Sequence, residues 1–158
     1  MEKIILETMI NAPIERVFDL SRSIDLHKIS SKGTNEQAVG GRTSGLIELD
    51  EFVTWHAKHL GFYQKLTVKI TSMEKPNFFE DQMLKGAFSK MKHLHLFETI
   101  DQRTKMTDIF EFQSPFGFIG TLTNKLFLRN YMIRFLALRN QEIKRVAEGE
   151  EWKELLNF

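Results

Sequence analysis

Hydrophobic residues in this chain change their period once. From Asp50 to Gln113, apolar and polar residues alternate with a period close to two. From Phe118 to about Gly149, apolar residues recur at helical spacing. The first pattern predicts consecutive strands at Phe52–His59, Gln64–Ser72, Phe78–Lys85, Met91–Thr99 and Lys105–Gln113. Their connections hold Gly61, Pro76, Gly86 and the Asp101-Gln102-Arg103-Thr104 stretch, and are short. Short connections make successive strands antiparallel neighbours. The second pattern predicts one helix of ~30 residues, ~45 Å long and able to cross a whole domain. Its expected apolar stripe is Leu122, Leu126, Tyr131, Phe135, Leu138 and Ile143, widened by Ile119, Phe127, Leu128 and Val146. The cations Lys125, Arg129, Arg134, Arg139, Lys144 and Arg145 fall mostly off it. Gly149 is a suitable stop.

Upstream, Glu2 to Ile10 reads as a first strand. Asn11-Ala12-Pro13 then opens a short helix over Ile14 to Leu20, because proline suits a first helical turn. A second short helix starts near Ser23 or Asp25. The polar stretch Ser30 to Gly45 has room for a short strand at Asn35 to Val39. The expected class is therefore α+β. A curved antiparallel sheet of about seven strands wraps a long C-terminal helix, with two short helices after the first strand. One domain spans 1–158, with its core in 1–149. The tail 150–158 is apolar enough, through Trp152, Leu155, Leu156 and Phe158, to dock. A chain of this length buries ~70% of its unfolded surface.

Charge and composition narrow the partners. Lys+Arg 22 against Asp+Glu 21 leaves +1, without the basic excess of a phosphate-driven nucleic-acid binder. No nucleic-acid partner is expected. The absence of cysteine excludes disulfides, thiolate nucleophiles and cysteine metal sites. The N-terminus turns acidic too early for a signal peptide. No apolar run approaches the ~20 residues of a membrane span, so no stable membrane insertion is expected, and the default location is the cytoplasm. The 14 phenylalanines, against 2 tyrosines and 2 tryptophans, imply a large core or an apolar pocket.

Alternation assigns the faces. Centring each hairpin on its connection sets Trp55, Val68, Met83, His93 and Phe112 in one cross-strand row. Val53, Ile70, Asp81, His95 and Phe110 form the next. Both rows share a face, with Leu66, Phe79, Phe97, Met106 and Asp108. The other face carries Thr54, His56, Lys58, Lys65, Lys69, Glu80, Lys92 and Glu111, interrupted by Leu94, Leu96 and Ile109. The long helix is the natural cover of the apolar face. Four polar residues interrupt that face: Asp81, His93, His95 and Asp108. This register sets Asp81 opposite His95, and Asp108 opposite Phe97 and diagonal to His95.

The order of elements resembles the helix-grip fold of the START-like, or SRPBCC, superfamily. That group includes the pollen-allergen family and the polyketide cyclases. The stretch Ile10-Asn11-Ala12-Pro13-Ile14-Glu15-Arg16-Val17-Phe18 is similar to its strand-to-helix passage. Five segments are similar to a bacterial ligand-binding subgroup often labelled cell-division-related. They are Val39 to Ile47, Val53 to Ala57, Phe79 to Met83, His93 to Phe97 and Ser114 to Gly117. The resemblance implies a cavity between sheet and helix, with the glycine-bearing Gly40–Gly45 stretch as a structural loop near its mouth. That stretch lacks the pattern of a P-loop or a dinucleotide fingerprint.

The ligand-binding set expected from these readings is Trp55, Met83, Phe97, Phe110, Phe112, Leu128, Tyr131 and Phe135. Asp81, His93, His95 and Asp108 are its polar handles. The leading function is binding or transport of an apolar or amphipathic small molecule, lipid-like or polyketide-like. A cyclase- or hydrolase-type enzyme would use His95 with Asp81 for proton transfer. A protein-interaction module tied to cell division is the third reading. Paired histidines with carboxylates also have metal-ligand chemistry, yet a closed hydrogen-bonded network accounts for them. No metal or cofactor is expected. His56 and His59 fall on opposite faces and make a poor pair.

Overall fold

The structure, a computed structural model, describes residues 1–114 and 122–157. In chain order it contains β1 (Glu2–Ile10), α1 (Ile14–Ser21), α2 (Ile24–Ser30), β2 (Gln37–Gly41), β3 (Phe52–His59) and β4 (Phe62–Glu74). There follow β5 (Phe78–Lys85), β6 (Lys90–Ile100), β7 (Arg103–Gln113), the long α3 (Leu122–Glu148) and a short α4 (Trp152–Leu155). Seven strands form one antiparallel sheet in the order β1-β7-β6-β5-β4-β3-β2. The fold class is the expected one. The strands at Glu2–Ile10, Phe52–His59 and Phe78–Lys85 have the bounds read from alternation. The expected helical residues 118–121 and the Pro115-Phe116-Gly117 motif lie outside the described residues.

The burial of β6 and β7 alternates strictly, buried at Met91, His93, His95 and Phe97 and at Met106, Asp108, Phe110 and Phe112. One face of these strands is therefore core, whatever the polarity of each residue. Phe18 on α1 meets it edge-on, 5.7 Å from Phe79 and 5.3 Å from Phe97. Ser23 caps α2 by accepting a hydrogen bond from the Leu26 amide.

Three hairpin registers differ from expectation by two residues. Trp55 pairs with Leu66, Asp81 with His93, and His93 with Phe110. Centring a hairpin on its connection assumes a symmetrical turn. The β3–β4 and β6–β7 turns close over two residues each, Leu60-Gly61 and Asp101-Gln102, tighter than that, whereas β4–β5 keeps the expected Val68–Met83 pairing. A shift of two keeps every side chain on its face, so the face assignment survives. Asp108 consequently stands directly opposite His95, and Phe97 opposite Met106.

The α3 stripe is rotated from expectation. Met132, Leu136, Arg139, Asn140, Ile143 and Val146 are buried, whereas Leu126, Phe127 and Leu138 are exposed. The C-terminal half of α3 is tied to the first strand. Lys144 donates to the Met9 carbonyl at 2.6 Å, and Glu148 accepts from the Asn11 amide at 2.8 Å. The tail docks beside it, with the Arg16 guanidinium 3.9 Å over the Trp152 ring.

Candidate functional site

Between sheet and α3 lies a cavity of about 620 Å³. Buried apolar side chains such as Ile24, Ile47, Ile70 and Phe79 close one end. The exposed lining residues are Leu60, Lys65 and Ala87, so among the described residues the cavity opens at the opposite end. This opening lies between the β3–β4 turn, the β5–β6 turn and the N-terminal half of α3. The glycine-bearing loop is not at this mouth. Its Gly45 carbonyl accepts from the Ile24 amide, and Leu46 bridges Ser23, at the closed end.

Of the residues singled out from sequence, Trp55, Asp81, His93, His95, Phe110, Leu128, Tyr131 and Phe135 line the cavity. Met83, Phe97, Phe112 and Asp108 do not. Phe97 packs on Phe18 and Phe79, and Phe112 on Phe88 and Phe110. Asp108 is sealed behind the histidines, with 1% of its side chain exposed.

The first polar cluster forms around that sealed carboxylate. His93 Nε2 donates to Asp108 Oδ1 at 2.9 Å, and the Asn140 amide donates to Oδ2 at 2.6 Å. His95 Nε2 is 3.2 Å from Asp81 Oδ2. His95 Nδ1 is 2.8 Å from Asp108 Oδ1, at ion-pair distance but not aligned as a hydrogen bond. Arg139 donates to the Ser21 carbonyl at 3.0 Å and brings its charge within 3.7 Å of Asp108.

The protonation states follow from burial and neighbours. Burial would raise both aspartates, but the hydrogen bonds and charges of the histidines outweigh it. Asp81 is lowered, and Asp108 lies well below the carboxylate range. Burial pulls His95 down, yet Asp108 and Asp81 together hold it above its ordinary value. His93 is pushed to about 4, by burial first and the His95 charge second. The two carboxylates thus face the Arg139 guanidinium and His95, which holds a proton more readily than a free imidazole, while His93 holds one less readily.

Asp81, His93 and His95 bring ligand atoms within 4.8 Å of one another, the geometry of a three-point metal site. Each histidine Nε2 already faces a carboxylate.

A second polar cluster was not read from the sequence. Glu36, with 6% of its side chain exposed, takes His27 Nε2 at 2.5 Å and lies 3.4 Å from His59 Nε2. His59 Nδ1 in turn is 2.7 Å from the Tyr131 hydroxyl. Burial opposes the Glu36 charge, but the charge and hydrogen bond of His27, with His59 alongside, hold it far below the ordinary range. His27 stacks on Trp55 at 4.1 Å. Glu36, His27, His59 and Tyr131 all line the cavity. The parity of His59 was visible in β3, but Glu36 and His27 lie on a loop and a short helix where no period points inward. Arg139 could have been found. It falls at helical spacing within Met132, Leu136, Ile143 and Val146, but its charge argued for the solvent face.

No family model and no curated protein sequence matches the chain. Solved structures do. A protein from Thermus thermophilus superposes with a TM-score of 0.70 at 17% identity, over 90% of this chain and 97% of its own. Ginseng major latex-like protein 151 from Panax ginseng gives 0.67 at 13% identity, over 94% of this chain and 98% of its own. Ara h 8.0201 gives 0.62 at 11% identity, over 90% and 97%. Identities this low speak to the fold alone, and the fold these structures share with this chain is the helix-grip architecture.

Proposed function

We propose that this protein binds and carries an apolar or amphipathic small molecule between its sheet and its long helix. The supporting observation is the cavity itself: about 620 Å³, apolar over most of its wall, with two compact polar clusters. Ligand pockets of ~300–1,000 Å³ have this make-up. The apolar wall supplies affinity, and the polar clusters orient the molecule. Asp81 keeps 14% of its side chain accessible and lines the hollow, as does Tyr131, whose hydroxyl meets His59. Both suit a ligand bearing a hydroxyl or similar polar group.

The arrangement favours orientation over proton transfer. Both ring nitrogens of His95 face carboxylates, leaving neither for a substrate. A general base needs such a free nitrogen within reach of its proton.

Native mass spectrometry of the purified protein, with organic extraction of the same sample, tests the reading. A bound apolar molecule, or saturable uptake of a fluorescent fatty acid, is expected. Val68→Trp, which places an indole in the cavity, should abolish uptake while the protein still melts cooperatively. Failure to extract or load any apolar molecule would sink the proposal.

A further inference from the structure

The net charge of +1 conceals a strong separation of charge. The sequence has no carboxylate between Glu51 and Glu74, between Asp81 and Glu98, or between Glu111 and Glu142. These three stretches supply the β3–β4 turn, the β5–β6 turn and the N-terminal half of α3. They are the segments around the cavity mouth. Register fixes this convergence: Thr67 pairs with Lys85, Lys90 pairs with Gln113, and Tyr131 reaches His59.

The rim carries Lys58, Lys65, Lys85, Lys90, Lys125 and Arg129. Lys92 pairs with Glu80 on the outer face of β5 and β6, and farther from the mouth Lys69 pairs with Asp50, Lys75 with Glu48, Lys105 with Glu98 and Lys144 with Glu148. On the β7 side Glu111 is 3.5 Å from Lys3, and Glu2 stands opposite Phe112 on the edge strand. Glu36 is turned inward between its two histidines.

Among these cations stand exposed apolar side chains. Phe62 is 73% exposed, Tyr63 61%, Phe127 57%, Leu126 53% and Leu60 48%. They come from a turn and from a helix far apart in sequence. Large apolar groups in water, ringed by cations, match the interface of an anionic bilayer: acyl chains for the rings, headgroups for the ammonium groups. A nucleic-acid surface would account for the cations but not for the aliphatic Leu60 and Leu126.

We infer that the mouth end of this protein docks on an anionic lipid surface, with Phe62 and Phe127 entering the headgroup region and the rim cations meeting lipid phosphates. This sets the cavity opening against the membrane. It goes beyond the ligand-binding reading and does not require the cavity to hold any molecule.

Cosedimentation with phosphatidylcholine–phosphatidylglycerol vesicles, against phosphatidylcholine alone, tests the inference. Binding to the mixed vesicles, weakened by salt, is expected. Each neutralised rim cation should cost about fivefold in partitioning. Lys58→Glu with Lys125→Glu should therefore cost well over tenfold, and Phe62→Asp should also release the protein. Arg103→Glu, at the start of β7 and the other end of the sheet, should change nothing. Thermal melts confirm that the variants are folded. Absence of binding to the mixed vesicles overturns the inference, as does equal loss in Arg103→Glu. Preferential binding of a single-stranded oligonucleotide that displaces the vesicles overturns it too.

Discussion

Asp108 is the centre of the first polar cluster. It is sealed from the cavity, yet it accepts from His93 and Asn140 and faces His95 and Arg139. Its environment has a consequence in pH. His93 is held at about 4 when folded against 6.5 as a free side chain, so the folded state resists its protonation. A depressed folded value gives stability that is complete above 6.5 and lost as pH falls towards 4. The difference is worth roughly 3 kcal/mol. His95 is raised, so its share is complete below 6.5 and is lost only as pH climbs through its folded value. The lowered Asp81 and Asp108 withdraw their shares at still lower pH. Urea unfolding across this window should show the wild type losing stability on acidification, and His93→Gln, which keeps an N–H donor for Asp108, losing much less. Equal slopes would refute the assignment. Alternation made the four polar intruders of this cluster legible, because period two is indifferent to what a residue is. Arg139 stands at helical spacing with Met132, Leu136 and Ile143, yet it and Asn140 were passed over, because charge and amide are read as surface unless a partner is already in view.

Elements were legible to the degree that their pattern was local. The strands follow from alternation, and β1 and β5 have the bounds it gives. The rotation of α3 was not recoverable, because Leu126, Phe127 and Leu138 are apolar and yet exposed. A stripe drawn through them turns the helix away from Arg139. The short β2 depends on one backbone position. At Gly41 the chain takes a φ of +68°, and a Cβ there would lie 2.1 Å from the Phe52 carbonyl oxygen. Gly45 has a similar φ of +72° but open space around it. Gly45→Ala should therefore cost only the left-handed conformation, ~1–2 kcal/mol. Gly41→Ala adds a collision with backbone and should cost clearly more, loosening the β2–β3 pairing that brings Glu36 to the cavity wall. Urea denaturation of the two variants checks this, and equal costs would show that the contact at Phe52 relaxes freely.

At the scale of the whole molecule, the cavity poses an energetic question. Dry void in a protein core costs ~24 cal/mol per Å³, so about 620 Å³ left empty would cost ~15 kcal/mol. That equals or exceeds the entire stability of a typical domain, ~5–15 kcal/mol. The hollow must therefore hold either water entering by the mouth or a ligand. Water gains little against walls such as Val53, Val68, Ile70 and Phe110, which offer it no hydrogen bonds. An apolar molecule that displaces it removes its own surface and theirs from solvent. It also binds only the folded state, because the unfolded chain has no such wall. At a hundredfold excess over its dissociation constant it would stabilise the fold by ~2.7 kcal/mol. For a chain of this size that corresponds to a rise in melting temperature of roughly 5–10 °C. Protein stripped by organic solvent and refolded should melt lower than protein as purified. Restoring the extracted material should recover the difference, and should fail to do so in Val68→Trp. Stripped and untreated protein melting together, with no gain from the extract, would mean that water alone fills the hollow.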